Sequence, residues 1–229
     1  MIFPKMKLAL FDLDHTLLPL DSDYSWGVFT TDIGWTDPHA FRQKNDDFFA
    51  HYQAGTLDIH DYVRFATEAV RLQGAARATE AHARFMREVI QPSLMPEALA
   101  LVRQHQAAGD TVVIVTATNE FVTRPIADAF GVPELIAVEL ERGPDGWITG
   151  EIRGTPSFRD GKVTRVAEWL AARDLDWQSV DMTFYSDSTN DLPLLERAHH
   201  PVATNPDPRL RALAAGRGWR ILDLFSTIV

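Results

Sequence analysis

The sequence predicts a doubly wound α/β domain, a parallel sheet with helices on both faces, carrying one inserted helical subdomain. Three observations predict it. Four apolar runs lack the period-two alternation of a half-exposed strand, as strands buried on both faces do. Segments of helical spacing separate these runs. Between the first run and the second lies a long interval, 21–90, with helical periodicity and no convincing strand.

The first strand is predicted at Lys7–Asp12 (K-L-A-L-F-D), and the next at Thr111–Thr116 (T-V-V-I-V-T). Two more follow at Met182–Asp187 (M-T-F-Y-S-D) and His200–Thr204, with a fifth, short strand near Leu135–Val138. Met95–Gly109 has helical spacing with Pro96 near its start and Gly109 at its end, the usual asymmetry of helix termini. Further helices are predicted at Glu120–Phe130, Lys162–Arg173 and Asp191–Ala198. Glu139–Ile152, with P-D-G at its centre, reads as a β-hairpin. The interval 21–90 is punctuated at Gly34, Gly55 and Gly74 and reads as a small helical cap. The core domain then comprises 1–20 and 91–229, with the cap over the carboxyl edge of the sheet, where open α/β sheets bind ligands. The cap aromatics, among them Trp26, Phe29, Trp35, Phe41, Phe48, Phe49, Tyr52, Tyr62 and Phe65, fall largely at helical spacing and read as bundle core.

Composition narrows the function. The 229 residues suit one sizeable domain or a core with an insert, and 45% hydrophobic against 24% charged residues is an ordinary soluble balance. A formal charge of −10 argues against nucleic acid or an anionic membrane surface as the main partner. There is no cysteine, which excludes disulfides and thiolate metal sites and points to a reducing compartment. No apolar run approaches membrane-spanning length, and M-I-F-P-K-M-K-L lacks the apolar core and cleavage site of a signal peptide. A cytoplasmic location is therefore expected.

The chemistry-bearing residues sit at strand exits. Asp12 and Asp14 follow the first strand, Thr116 ends the second, and Asp187 ends a later one within S-D-S-T-N-D. Lys162 opens a helix after F-R-D-G. Parallel strands bring these groups to one end of the sheet, where three carboxylates repel one another unless a cation lies between them. Oxygen-only ligands favour Mg²⁺, which takes one or two carboxylates, keeps several waters and accepts a phosphate oxygen. Lys162 and the Thr116 hydroxyl then complete a phosphate cradle, with one carboxylate free to attack. The adjacent pair His199 and His200 points opposite ways on a strand, which argues against metal ligation.

With D-L-D-H-T-L, V-I-V-T, G-K and S-D-S-T-N-D in this order, the sequence resembles the haloacid-dehalogenase-like hydrolases, in particular the phosphoserine-phosphatase-like branch with a helical cap. The resemblance spans nearly the whole chain. It implies that Asp12 is a nucleophile forming an aspartyl-phosphate and that Asp14 is the general acid/base. It also implies phosphoryl binding by Thr116, Ala117, Lys162 and Asn190. The implied Mg²⁺ set is Asp12, Asp14 (through its main-chain carbonyl), Asp187 and Asp191. The expected partner is a small phosphate ester.

Two residues speak to the leaving group. Asp21 lies nine residues past Asp12, where relatives place an acid against a substrate ammonium. The cap arginine that relatives use for a substrate carboxylate falls on Ala66, with Arg64 two residues earlier and about 200° away around a helix. An amine phosphate without a carboxylate, such as histidinol phosphate, is therefore expected, with phosphoserine as the alternative. His15, an uncommon occupant of its slot, either touches the substrate or gates solvent, or only satisfies a turn. An aspartyl-phosphate receiver without turnover is the alternative of another class. Asp14 and the insertion both speak for the enzyme, and Asp14 also counts against a dehalogenase.

Overall fold

The computed structural model describes residues 5–225. Six strands form one sheet: β1 (Met6–Phe11), β2 (Thr111–Asn119), β3 (Glu134–Val138), β6 (Val180–Ser186), β7 (His200–Thr204) and β8 (Arg220–Leu222). Their order is β3-β2-β1-β6-β7-β8, and every pairing is parallel. A two-stranded antiparallel hairpin, β4 (Leu140–Arg142) with β5 (Ile148–Ile152), stands apart at the predicted P-D-G turn.

The apolar runs are buried on both sides, which explains their missing alternation. Ala9 and Phe11 of β1 enter one core with Ala98 and Val102 of α5 (Pro96–Ala107) and with Val122 and Ile126 of α6 (Glu120–Ala129). Leu8 and Leu10 enter the opposite core with Val166 and Leu170 of α7 (Asp160–Ala171), Leu194 and Leu195 of α8 (Leu192–Leu195), and Leu210 of α9 (Pro208–Arg217). The chain runs outward from β1 through β2 to β3, then crosses back to β6. The strand order therefore reverses between β1 and β6, the crevice where such sheets bind ligands.

Boundaries differ from expectation in three places. β2 continues to Asn119, because its pairing with β3 resumes there after a register shift past Val115. The helix expected over Asp191–Ala198 is only the four residues of α8, preceded by a tight turn at Thr189–Asp191, with Pro193 in its first turn, where a missing N–H costs nothing. The edge formed by α9 and β8 was not predicted. The α9 signals are conventional, an Asp207 cap, Pro208 at the first turn and Gly218 in the left-handed C-terminal position, but β8 is three residues long.

Between β1 and α5 the chain is helical: α1 (Ser22–Asp32), α2 (Pro38–Ala54), α3 (Ile59–Gln73) and α4 (Ala75–Phe85). Asp21, Asp37 and Asp58 cap the first three by accepting backbone N–H bonds. Trp26, Phe29 and Phe85 are buried, and His82 on α4 bonds the Val122 carbonyl of α6 at 3.1 Å. Helix α2, by contrast, has no fully buried residue, and Phe49 is 56% exposed, contrary to a core role.

Candidate active site

Asp12 is fixed where the two central strands end. Its N–H donates to the Tyr185 carbonyl of β6 at 2.9 Å, extending the β1–β6 ladder by one residue. The chain then turns sharply, with the Leu13 carbonyl accepting from the N–H groups of Thr16, Leu17 and Leu18. His15 takes the left-handed conformation this turn requires (φ 56°), a strained one for a non-glycine residue. The Asn205 amide secures it by donating to the carbonyls of His15 and Thr16 at 3.0 and 3.3 Å. The His15 side chain is exposed, and its backbone forms the turn.

Lys162 lies opposite Asp12 and is 2% exposed. Its Nζ donates to Asp12 Oδ1 at 2.6 Å and to Asp191 Oδ2 at 2.7 Å. A side chain on the preceding Gly161 would place its Cβ 1.9 Å from the Pro156 carbonyl oxygen, so only glycine permits this entry into α7. Burial alone would lower the ammonium's pKa, but the charges of Asp12 and Asp191 outweigh it and hold the net value above an ordinary lysine. Asp191 also accepts from the Ser186 hydroxyl at 2.8 Å. Its carboxyl is raised by burial, an effect that Lys162 opposes.

Thr16, fully buried, joins Asp12 to Asp187. Its hydroxyl lies 3.1 Å from Asp187 Oδ1 and 3.4 Å from Asp12 Oδ2, and accepts the Asp187 N–H at 3.1 Å. One hydroxyl proton serves only one carboxylate at a time. Burial, then the like charges of Asp12 and Asp191, push the Asp187 carboxyl well above the usual range.

Asp14 points elsewhere. Its carboxylate accepts from the Ser22 N–H at 2.9 Å and the Thr118 hydroxyl at 2.8 Å. Burial of the carboxyl and the nearby charge of Asp21 push it up to about 6, against the hydrogen bonds that favour its charged form. A carboxyl titrating near neutrality suits a group that must both give and take a proton. Thr116 is 1% exposed, and its hydroxyl accepts the Thr118 N–H at 3.1 Å, leaving its own proton free. The Ser157 hydroxyl donates to the Thr116 carbonyl at 2.6 Å. Ala117, between the two threonines, is half-buried. Asn190 Oδ1 accepts from Arg159 Nε at 3.2 Å, while Arg159 Nη1 donates to the Gly55 carbonyl of the inserted helices at 2.8 Å.

The structure places the members of the expected metal set as follows. Among the described residues no three Asp, Glu, His or Cys side chains are arranged to hold an ion. Asp12 and Asp187 meet through Thr16, Lys162 pairs with both Asp12 and Asp191, and the Asp14 carboxylate turns to Ser22 and Thr118, which leaves open the role expected of its main-chain carbonyl. Asp12 and Asp187, two oxygen donors of like charge held side by side, fit Mg²⁺, whose remaining positions water and phosphate would fill. Arg64 is outside the site: it is exposed and pairs with Glu151 of the hairpin at 2.8 and 3.1 Å and with Asp61 at 2.7 Å. Asp21 caps α1 by accepting the Tyr24 N–H at 2.9 Å. His199 and His200 hold no common ligand; they bond the Met182 N–H and Asp181 respectively.

Sequence reasoning missed Thr16, Thr118, Ser157 and Arg159. Thr16 carried a signal, four residues beyond Asp12 in D-L-D-H-T, whereas nothing in the spacing marks the other three.

Comparison with known proteins bears on this geometry. The family profile of haloacid dehalogenase-like hydrolases matches residues 9–196. The chain belongs to this family. A histidinol-phosphatase from Neisseria meningitidis serogroup C is 42% identical over 218 residues, covering 95% of this chain and 98% of that protein. A crystal structure of a protein of unknown function from Bordetella pertussis Tohama I is 50% identical, covers 97% of this hydrolase and all of that chain, and superposes with a TM-score of 0.91. A substrate-bound phosphoserine phosphatase, 15% identical with a TM-score of 0.66, covers 96% of this chain and 94% of its own; it shares the fold.

Proposed function

We propose that this hydrolase is a Mg²⁺-dependent phosphomonoesterase that works through an aspartyl-phosphate, an acyl phosphate formed on Asp12. The observation carrying this reading is the buried Lys162 ammonium between Asp12 and Asp191, which pins Asp12 Oδ1 and leaves Oδ2 to attack. Asp12 Oδ2 bonds to phosphorus as the bond to the leaving oxygen breaks, and Asp14 protonates that oxygen. Asp14 then removes a proton from water, whose oxygen bonds to phosphorus and releases Asp12. Lys162 and the free Thr116 proton offset charge on the transferring oxygens. Asp12 and Asp187 would hold the magnesium ion, which when bound supplies further positive charge at those oxygens. The inserted helices act as the cap that closes on the ester, with Arg159 and the Tyr52–Ser188 contact at 3.4 Å linking cap and core.

The substrate is an amine phosphate without a carboxylate, histidinol phosphate being the leading candidate. The name of the Neisseria relative supports this, as does Ala66 in the place of a carboxylate-binding arginine. Phosphate release from histidinol phosphate, phosphoserine and acetyl phosphate, with Mg²⁺ and after EDTA, tests it. Histidinol phosphate should exceed phosphoserine by more than tenfold in kcat/KM, and EDTA should abolish turnover. Phosphoserine as the best ester, or full activity in metal-free buffer, would overturn the respective claim. No helix among the described residues is long and apolar enough to cross a membrane, in keeping with a small soluble ester as partner.

A further inference from the structure

We infer that a cavity among α1, α2 and α3 binds an organic cation, an imidazolium or ammonium group, with the Asp23 carboxylate as its counter-ion. The inference rests on the proposed function only in taking that cation to be part of the ester's leaving group.

The cavity encloses about 250 Å³, and Trp35, Phe41, Tyr62 and Phe65 supply aromatic walls. Its charged lining is of one sign: Asp23, Asp37 and Glu68, and among the described residues no Lys, Arg or His side chain lines it. Asp37 is committed to capping α2 through the Ala40 N–H, and Glu68 is exposed. Asp23 is different. It is 7% exposed, and its hydrogen-bond partners, the Asn119 amide at 3.3 Å and Tyr62, are both neutral. Asp21 and Asp14, the charges that act on it, share its sign. A buried carboxylate without a cation is a standing cost that a bound cation relieves; Lys44 and Arg77 lie 5.9 Å from the Phe65 and Trp35 rings, so the Phe41 and Tyr62 rings are the ones left to add cation–π attraction. Burial, reinforced by the charge of Asp21, pushes this carboxyl up to about 7, so a cation arriving at neutral pH would draw it into its charged form.

The cavity also lies next to the chemistry. Asn119, which bonds Asp23, directly follows Thr118, which bonds Asp14. Asp14 is also one of the charges that act on Asp23, so the two carboxylates lie in one neighbourhood. Gly27 on α1 keeps this region tight, since a Cβ there would sit 2.2 Å from the Phe41 ring. Asp21 is the less suited anion because it does not line the cavity and is less deeply buried than Asp23.

Calorimetric titration of the full chain with histidinol, which carries both cations and no phosphate, tests this without requiring turnover. Wild type should bind it, and Asp23→Asn, which keeps the shape at this position, should weaken binding at least tenfold. The kcat/KM ratio of histidinol phosphate to acetyl phosphate should fall by a similar factor. Ala66→Leu, which narrows the cavity without altering Asp23, should also weaken histidinol binding and is the deciding measurement if a thermal melt shows Asp23→Asn to be unfolded. Equal histidinol affinity in wild type and a folded variant, or no binding by wild type at millimolar histidinol, would overturn the inference. If no ester is hydrolysed but histidinol still binds through Asp23, the phosphatase reading fails and this one stands. If esters are hydrolysed with an unchanged ratio, the reverse holds.

Discussion

The exit of the central strands and the inserted helices meet charge in opposite ways. At the strand exit Lys162 sits between Asp12 and Asp191, Thr16 spans Asp12 and Asp187, and Ser186 completes Asp191, all within hydrogen-bond reach. In the insertion Asp23 is as deeply buried, yet only neutral groups bond it and it faces a cavity. The packing follows the same division. Strand residues Leu8 to Phe11 are at most 2% exposed, whereas α2 has no fully buried residue. A site that performs one reaction on any phosphate ester benefits from fixed, preorganised charge. A site that selects a leaving group needs an unsatisfied group for that leaving group to complete.

The comparison breaks first at Asp12. Asp12→Asn should reduce phosphate release to background for every ester, because the nucleophile is lost whatever the leaving group; residual turnover above about a thousandth of wild type would show that another residue attacks. Asp14→Asn should slow turnover by about 10² to 10⁴ and flatten the pH profile near pH 6, where its carboxyl titrates; an unchanged profile would assign that limb elsewhere.

Lys162→Met sharpens the stability side. It leaves Asp12 and Asp191 buried without their cation and should cost about 3–5 kcal/mol at neutral pH by denaturant titration. The deficit should shrink in acid as the carboxylates protonate. A loss below about 1 kcal/mol would mean that the pair contributes little net stability.

Asp23 predicts a pH dependence of its own. Its folded pKa, about 7, exceeds the usual 3.8, so between these values the folded state binds more protons than the unfolded state. Stability therefore falls as pH rises through this window. Asp23→Asn should remove that fall, gaining stability relative to wild type as pH rises from 4 to 8, on the order of a few kcal/mol at the alkaline end. A pH-independent difference would place the carboxylate in a far more solvated setting.

The smallest effect belongs to Arg64. Its ion pairs with Glu151 and Asp61 are exposed and screened by solvent, so Arg64→Ala should leave the denaturation midpoint nearly unchanged and kcat/KM unaltered. A selective loss with amine phosphates would return Arg64 to the site.

Most of the candidate site was legible because its residues lie at strand ends, where topology places them. The exits at Asp12, Thr116 and Asp187 needed only the recognition of three buried strands, and Lys162 followed from the glycine that opens its helix. What sequence did not reveal were the hydroxyls that orient these groups. Thr118 and Ser157 look like ordinary polar residues until β2 runs on to Asn119 and the loop before α7 folds against it. In the insertion, helical spacing fixed the helices but not their faces. Asp21 and Asp23 differ by two residues, and only the start of α1 decides that the first caps the helix while the second turns into the cavity. The aromatic residues expected as core are divided for the same reason: Trp26 and Phe29 are buried, while Phe41, Tyr62 and Phe65 line the cavity.

The central claim is that phosphorus passes through the Asp12 carboxylate. Rapid acid quench during turnover of histidinol phosphate, borohydride reduction of the acyl phosphate and peptide mapping test it most directly. The account predicts that Asp12 alone is converted to homoserine, in an amount that rises in the presence of Mg²⁺ and disappears in Asp12→Asn. Reduction at another carboxylate, or a label-free Asp12 while ester is being consumed, would contradict it.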